Sequence, residues 1–149
     1  MQFRIETVKK RATVSFPDNT QMSGYFFVST VSALGGGEEP VGELLARKRE
    51  YVPFESDEGK TVLLCKENLV VVALDEEAPE SALPGYKRVS VVIHLLSGQM
   101  LSGKVSFALP ETQSRLSDFL NSRDAFFRLE SEGKTCLIHN HFVKLIAAE

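Results

Sequence analysis

Apolar and polar residues alternate near the amino-terminal end of the chain with the period of a strand. Val14 and Phe16 alternate with polar neighbours, which predicts a half-buried strand. The residues at 17–20 are typical of a turn. The aromatic-rich run at 22–31 then predicts a second strand, in which Gly24 marks a bend or bulge.

The pattern continues with one short helix and three more strands. Leu44 and Leu45 lie in a stretch that suits a helix at 41–49. Shorter apolar runs separated by turn residues predict strands at 50–56, 61–65 and 69–74. The run Val70-Val71-Val72 is apolar on both faces of its strand, so we expect this strand to be covered on both sides.

The second half of the chain repeats the first. Residues 58–73 and 132–147 both begin with Glu-Gly-Lys-Thr and keep their apolar character at most other positions. Upstream of them, 42–56 aligns with 117–131, and 12–24 aligns with 91–103. One alternative is coincidence between two β-rich segments, but three blocks in the same order favour two diverged copies of one unit.

The repeat predicts a domain organisation. Residues 1–75 form the first unit, the acidic and proline-containing stretch at 76–85 is a linker, and 86–149 form the second unit. The second unit is predicted to contain a helix with strands before and after it. Its helix is expected at 114–121, and its strands at 89–96, 100–109, 125–131, 135–139 and 142–147.

Each unit therefore has five strands, with a short helix inserted between its second and third strands. Five short antiparallel strands can close into a small barrel, which hides most of the sheet edges. The predicted fold is mainly β, with two five-stranded SH3-like barrels in tandem. A unit of this size is marginal by itself, so we expect the two copies to share a buried surface.

The pattern resembles the Sm-like family of small barrels. The family's first signature is similar to 91–105 and, less closely, to 13–28, and its second signature is similar to 63–72 and 137–143. The resemblance implies SH3-like barrels that form rings by pairing exposed strands of neighbouring barrels. In a tandem protein, the equivalent contact could form within one chain.

The resemblance does not extend to the RNA pocket of the family. RNA-binding members carry an Asp and an Asn in the loop after the second strand, where this chain has the helical insertion. They also carry an Arg-Gly or Lys-His pair in the last turn, where this chain has 66–68 and 140–141. The fold is therefore expected to carry over, whereas the uridine pocket is not.

Composition narrows the function classes. The chain has 149 residues and a net charge of −3, which disfavours a strongly basic nucleic-acid binder. Two cysteines cannot build a disulfide framework, so a reducing compartment is expected. No apolar run is long enough to span a membrane, and the charged amino terminus is unlike a signal peptide. We expect a cytoplasmic protein.

The candidate chemical motifs are weak. Gly59-Lys60-Thr61 and its copy at 133–135 lack the earlier glycine of a phosphate-binding loop. A metal site would need His94, His139 and His141 to converge, and a surface turn explains the last two better. Cys65 and Cys136 have no histidine partner fixed by a motif, so they are expected to be small core residues.

These observations predict a non-enzymatic interaction or scaffold protein without a cofactor. It would bind a protein partner or self-associate through strand edges, as a homo-oligomer. The alternative is an Sm-like RNA-binding protein with a modified pocket. The candidate binding residues for RNA or a partner are Lys9, Lys10, Arg11, Lys66, Asn68, Lys87, Arg88, Asn140 and His141.

Overall fold

The computed structural model describes residues 7–31, 39–75, 87–107 and 125–149, which form ten strands and one α-helix. The first unit comprises β1 (Thr7–Ser15), β2 (Gln21–Ser29), α1 (Val41–Ala46), β3 (Tyr51–Ser56), β4 (Thr61–Cys65) and β5 (Val71–Leu74). The second unit comprises β6 (Lys87–Leu95), β7 (Met100–Phe107), β8 (Phe126–Ser131), β9 (Lys134–His139) and β10 (Val143–Ala148). Short 3₁₀ turns join β4 to β5 and β9 to β10. The mainly-β prediction is confirmed.

All ten strands belong to one antiparallel sheet, in the order β10-β6-β7-β8-β9-β5-β1-β2-β3-β4. Each unit contributes five neighbouring strands, and the order within the two units is the same. The expected closure of each unit into a separate barrel is not confirmed. Instead, the last strand of the first unit pairs with the fourth strand of the second unit, and the sheet stays open at both ends.

The strands predicted with bounds agree with the structure to within two residues where they are described. The strand expected around Val14 and Phe16 runs from Thr7 to Ser15, so Phe16 lies outside it, and the helix of the first unit is shorter than expected. That helix ends at Ala46, before the basic run at 47–49, because its buried residues Val41, Leu44 and Leu45 end there. The chain leading into it is held by Glu39, a buried carboxylate that accepts from the Ser29 amide at 3.0 Å and pairs with the Arg47 guanidinium. The predicted linker at 76–85 and helix at 114–121 lie outside the described residues.

A glycine on the second strand of each unit allows another strand to approach closely. A Cβ added at Gly24 would lie 2.0 Å from the Glu55 carbonyl oxygen, and one added at Gly103 would lie 2.5 Å from that of Glu130. These two contacts are equivalent, since Gly24 and Gly103 align in the repeat. The glycines therefore mark a close backbone crossing between β2 and β3 and between β7 and β8, which refines the bend expected at Gly24.

The repeat also preserves an ion pair. Lys9 on β1 lies 3.0 Å from the Glu55 carboxylate, and Arg88 on β6 lies 3.2 Å from that of Glu130. The two pairs join the first and third strands of their units at aligned positions. The duplication seen in the sequence thus extends to side-chain contacts.

Two clusters of buried side chains form the interior. The first core lies mostly in the first unit and includes Val14, Phe26 and Phe54. The second core lies mostly in the second unit and includes Val91, Ile93 and Leu129. Each core also contains residues from the other unit, and all of these come from β9 or from the segment ending in β5.

We expect Gly24→Ala to destabilise the fold by about 3 kcal/mol or more, because the new methyl group would overlap a carbonyl of β3 that cannot move away freely. The matched control is Gly59→Ala. Gly59 has φ of +82° and nothing within 4 Å of its added Cβ, so the control pays only the left-handed backbone cost of about 1–2 kcal/mol. Urea unfolding of both variants tests this, and an equal loss of stability in both would contradict the crossing.

Candidate functional site

The two units meet where β5 pairs with β9, and this pairing is called the junction below. Val71 is opposite Ile138 and Val72 is opposite Leu137 in the antiparallel register. Next to the ladder, the His139 amide donates to the Val70 carbonyl at 3.0 Å. The junction therefore extends the sheet of one unit into that of the other.

Both faces of the junction are buried, as the apolar run at 70–72 predicts. Val72 and Leu137 point into the first core, whereas Val71 and Ile138 point into the second core. Leu137 is 4% exposed and Val71 is 6% exposed. Each of these two side chains completes the core of the unit to which it does not belong, and burial of one such side chain is worth about 1.5–3 kcal/mol.

His139 closes one end of the junction, and the expectation that it lies in a surface turn is wrong, because it ends β9 and is only 8% exposed. Its Nδ1 donates to the Leu69 carbonyl oxygen at 2.9 Å, so the ring links β9 to the chain leading into β5. The ring stacks on Phe126 with centroids 4.6 Å apart and meets the edge of Phe142 at 5.2 Å. Burial lowers the pKa of His139 below its ordinary value, although the Leu69 carbonyl acts in the opposite direction.

The junction strands have counterparts at the two ends of the sheet, and these end strands, β4 and β10, are called the free edges. β4 aligns with β9, and β10 aligns with β5. Among the described residues, each free edge pairs with a strand on one side only. Unpaired backbone groups on such a strand are ready to bind another strand.

The free edges expose large apolar side chains at positions that are buried in the junction. Leu63 on β4 is 64% exposed and aligns with Leu137, whereas Leu145 on β10 is 45% exposed and aligns with Val71. Tyr51 is 54% exposed, and its counterpart Phe126 packs against the first core. The free edges therefore carry the apolar residues of a junction, but no described strand covers them.

The candidate residues from the sequence lie in several places. Lys9 and Arg88 are in the repeated ion pairs, and Arg11 pairs with Asp57 and Asp75.

The remaining candidates lie mostly in turns. Lys66 donates to the Arg47 carbonyl, and Asn68 is in the same 3₁₀ turn as Lys66. Asn140 and the exposed His141 lie in the turn after β9, and Lys10 and Asn140 also have interactions of their own. Lys87 begins β6.

Sequence reasoning missed three exposed apolar residues, two on the free edges and one on β3 beside β4. Leu63, Leu145 and Tyr51 look like ordinary strand residues, because their exposure depends on which strands become neighbours. The repeat alignment contained a usable signal, since each of them aligns with an apolar residue of the other copy. The alignment indicates an exposed edge only when the structure shows that one residue of an aligned pair is buried and the other is exposed.

The structure gives less support to a metal site or to a reactive cysteine. The His139 and His141 rings lie 6.0 Å apart, but no set of three or more potential metal ligands comes together in the described ranges. Burial raises the pKa of the Cys136 thiol, which disfavours the reactive thiolate, and Cys136 packs against the second core as a small apolar residue. Of the helical residues that are described, none belongs to a helix long and apolar enough to cross a bilayer.

No protein-family model matches the chain, and no curated protein or solved structure matches it either. The two units of the chain therefore provide the comparison that bears on function.

We expect the stability of the protein to fall as the pH drops from about 7.5 to about 5.5, because the unfolded chain then protonates a histidine whose pKa is about 6.5. The folded chain resists this proton at His139, where the pKa is lowered, and the loss levels off below the folded-state pKa. Lys66, Glu67 and His141 also act on this ring. Urea unfolding across this pH range measures the effect.

His139→Asn should remove this part of the pH dependence, because the amide can still donate to Leu69 but does not titrate. His94→Asn is the control, since β6 pairs with no strand of the first unit. A pH profile that changes equally in both variants would contradict the role of His139.

Proposed function

We propose that this protein is a non-enzymatic interaction protein that self-associates head to tail, with β4 of one copy pairing with β10 of another. The observation that carries the proposal is the exposure of Leu63 and Leu145 at positions whose counterparts are buried in the junction. The contact between copies would repeat the contact that already joins the two units within the chain.

The junction supplies the expected register. Val71 opposite Ile138 becomes Leu145 opposite Leu64, and Val72 opposite Leu137 becomes Ile146 opposite Leu63. Leu63 would then enter the second core of the next copy, as Leu137 enters the first core within one chain. Leu145 would enter the first core of the other copy in the same manner.

Such an interface is heterologous, because it joins two different surfaces. Heterologous contacts generate a ring where the rotation closes and a filament where it does not. In the part of the chain that the structure describes, β4 and β10 have the two properties that favour strand addition, namely backbone groups with no partner strand on one side and apolar side chains ready for burial.

The finer architecture that we propose is two Sm-like small barrels in tandem. The repeated order of five strands and the close crossings at Gly24 and Gly103 support it. RNA binding stays the alternative function. The ion pairs of Lys9, Arg11 and Arg88 with carboxylates reduce the free positive charge that this alternative needs.

Mass photometry and light scattering test self-association with two edge variants. Leu63→Arg blocks every β4, and Leu145→Arg blocks every β10, so each variant alone should be monomeric where the wild type forms larger species. We expect each change to weaken association by at least about 100-fold, because an unpaired charge would be buried in a core. Val31→Arg is the control, since Val31 is 70% exposed and lies on neither free edge.

The mixture of the two edge variants gives the sharper result. The intact β10 of Leu63→Arg can still pair with the intact β4 of Leu145→Arg, so an equimolar mixture should form a heterodimer of twice the chain mass. A wild type that stays monomeric at every concentration would overturn the proposal. Edge variants that assemble as the wild type does would also overturn it.

A further inference from the structure

Arg11 joins two carboxylates on the outer face of the first unit. Its guanidinium bonds to both oxygens of Asp57, at 2.6 and 3.0 Å, and its Nε lies 3.4 Å from the Asp75 carboxylate. The same group lies over the ring of Tyr25, 5.4 Å from its centroid. The hydrogen bonds to Asp57 are the main reason that the pKa of Arg11 is raised and that of Asp57 is lowered.

The second unit has a serine where the first has this arginine. Ala12 is opposite Gly24 and Val91 is opposite Gly103, so the residue before each one, Arg11 or Ser90, holds the same place in its unit. The Arg11 guanidinium thus has no counterpart at its own position on β6, where the guanidinium of Arg88 aligns instead with Lys9 and pairs with Glu130.

One of the two carboxylates is retained at its place in the second unit, and another lies in the turn after β8. Glu149 aligns with Asp75, whereas Glu132 follows Ser131 in a turn one residue shorter, where it aligns with Glu58. The Glu149 amide donates to the Ser90 carbonyl at 2.9 Å, and the Asp75 amide donates to that of Arg11 at 3.2 Å. Within the described ranges, the structure records no ion pair for Glu132 or Glu149.

A cavity occupies the place of the missing side chain. It has a volume of about 700 Å³, and Ser90, Glu132 and Glu149 are among its lining residues. The corresponding depression in the first unit, which Asp57 lines, has about 350 Å³. The second unit therefore has more room at this place, and its cavity is lined by two carboxylates with no arginine at the position of Arg11.

We propose that this cavity binds a guanidinium group supplied from outside the chain, either by an arginine side chain of another polypeptide or by a small guanidino compound. A guanidinium is planar and carries five donors, so it can bond to one carboxylate through two nitrogens and reach a second through another. The first unit shows this arrangement at Arg11. A lysine ammonium lacks the planar fork.

The other charged groups around the cavity limit the affinity that we expect for a guanidinium. Arg88 is held by Glu130 at 3.2 Å, and Lys134 corresponds to Lys60 in the first unit. Lys104 stands where Tyr25 stands in the first unit, so an incoming cation meets one additional positive charge and no aromatic ring. We therefore expect binding of isolated guanidino compounds with a Kd of about 1 mM or weaker.

NMR titration of the ¹⁵N-labelled chain with N-acetylarginine amide tests the proposal, with N-acetyllysine amide as the matched probe. Saturable shifts at Ser90, Glu132 and Glu149 are expected for the arginine probe, with weaker or no shifts for the lysine probe. Agmatine and a short peptide containing one arginine distinguish the sources. Tighter binding of agmatine indicates a free guanidino compound, and tighter binding of the peptide indicates a polypeptide.

Variants make the test specific to this cavity. Ser90→Arg restores the side chain of the first unit, so it should raise the melting temperature and abolish the shifts. Glu132→Gln should weaken binding several-fold, and Lys104→Tyr should strengthen it. The proposal is overturned by the absence of saturable shifts in the wild type, by equal binding of the lysine probe, or by full binding in a folded Ser90→Arg variant. It does not depend on self-association, which these titrations do not measure.

Discussion

The pairing of β5 with β9 is the contact on which the arrangement of the molecule depends. Residues distant in sequence form this ladder, and its side chains fill two cores at once, with Leu137 in the first and Val71 in the second. Neither unit has a complete interior without the other. A small five-stranded unit buries too little surface to be robust alone, and the shared strands compensate for this.

The same physical requirement explains the unusual surface. A strand with apolar residues on both faces buries all of them only when it lies between two cores. The chain contains such strands at β4 and β10 as well as at the junction. Leu63 and Leu145 are exposed because the fold pairs two of these strands internally and leaves the other two at its ends. The junction and the two free edges are therefore built from strands of the same kind.

Differences between the copies are as informative as their similarities. The glycine crossings and the Lys9 and Arg88 ion pairs are retained, which indicates that they serve the fold of each unit. His139 occurs only at the junction, whereas the free edge has Cys65 at that place. Arg11 is replaced by Ser90, which opens a polar cavity on one unit. The shared scaffold thus carries two surfaces of different chemistry.

The sequence by itself determined the strands, the turns between them and the duplication, because period-two alternation and turn residues are local signals. It also determined that the strand at 70–72 needs cover on both faces. Only the tertiary structure decided which strand provides that cover, because alternation assigns the faces of a strand but not its neighbours. The exposure of Leu63 and the open ends of the sheet depend on that choice, so they follow from pairing between segments far apart in the chain.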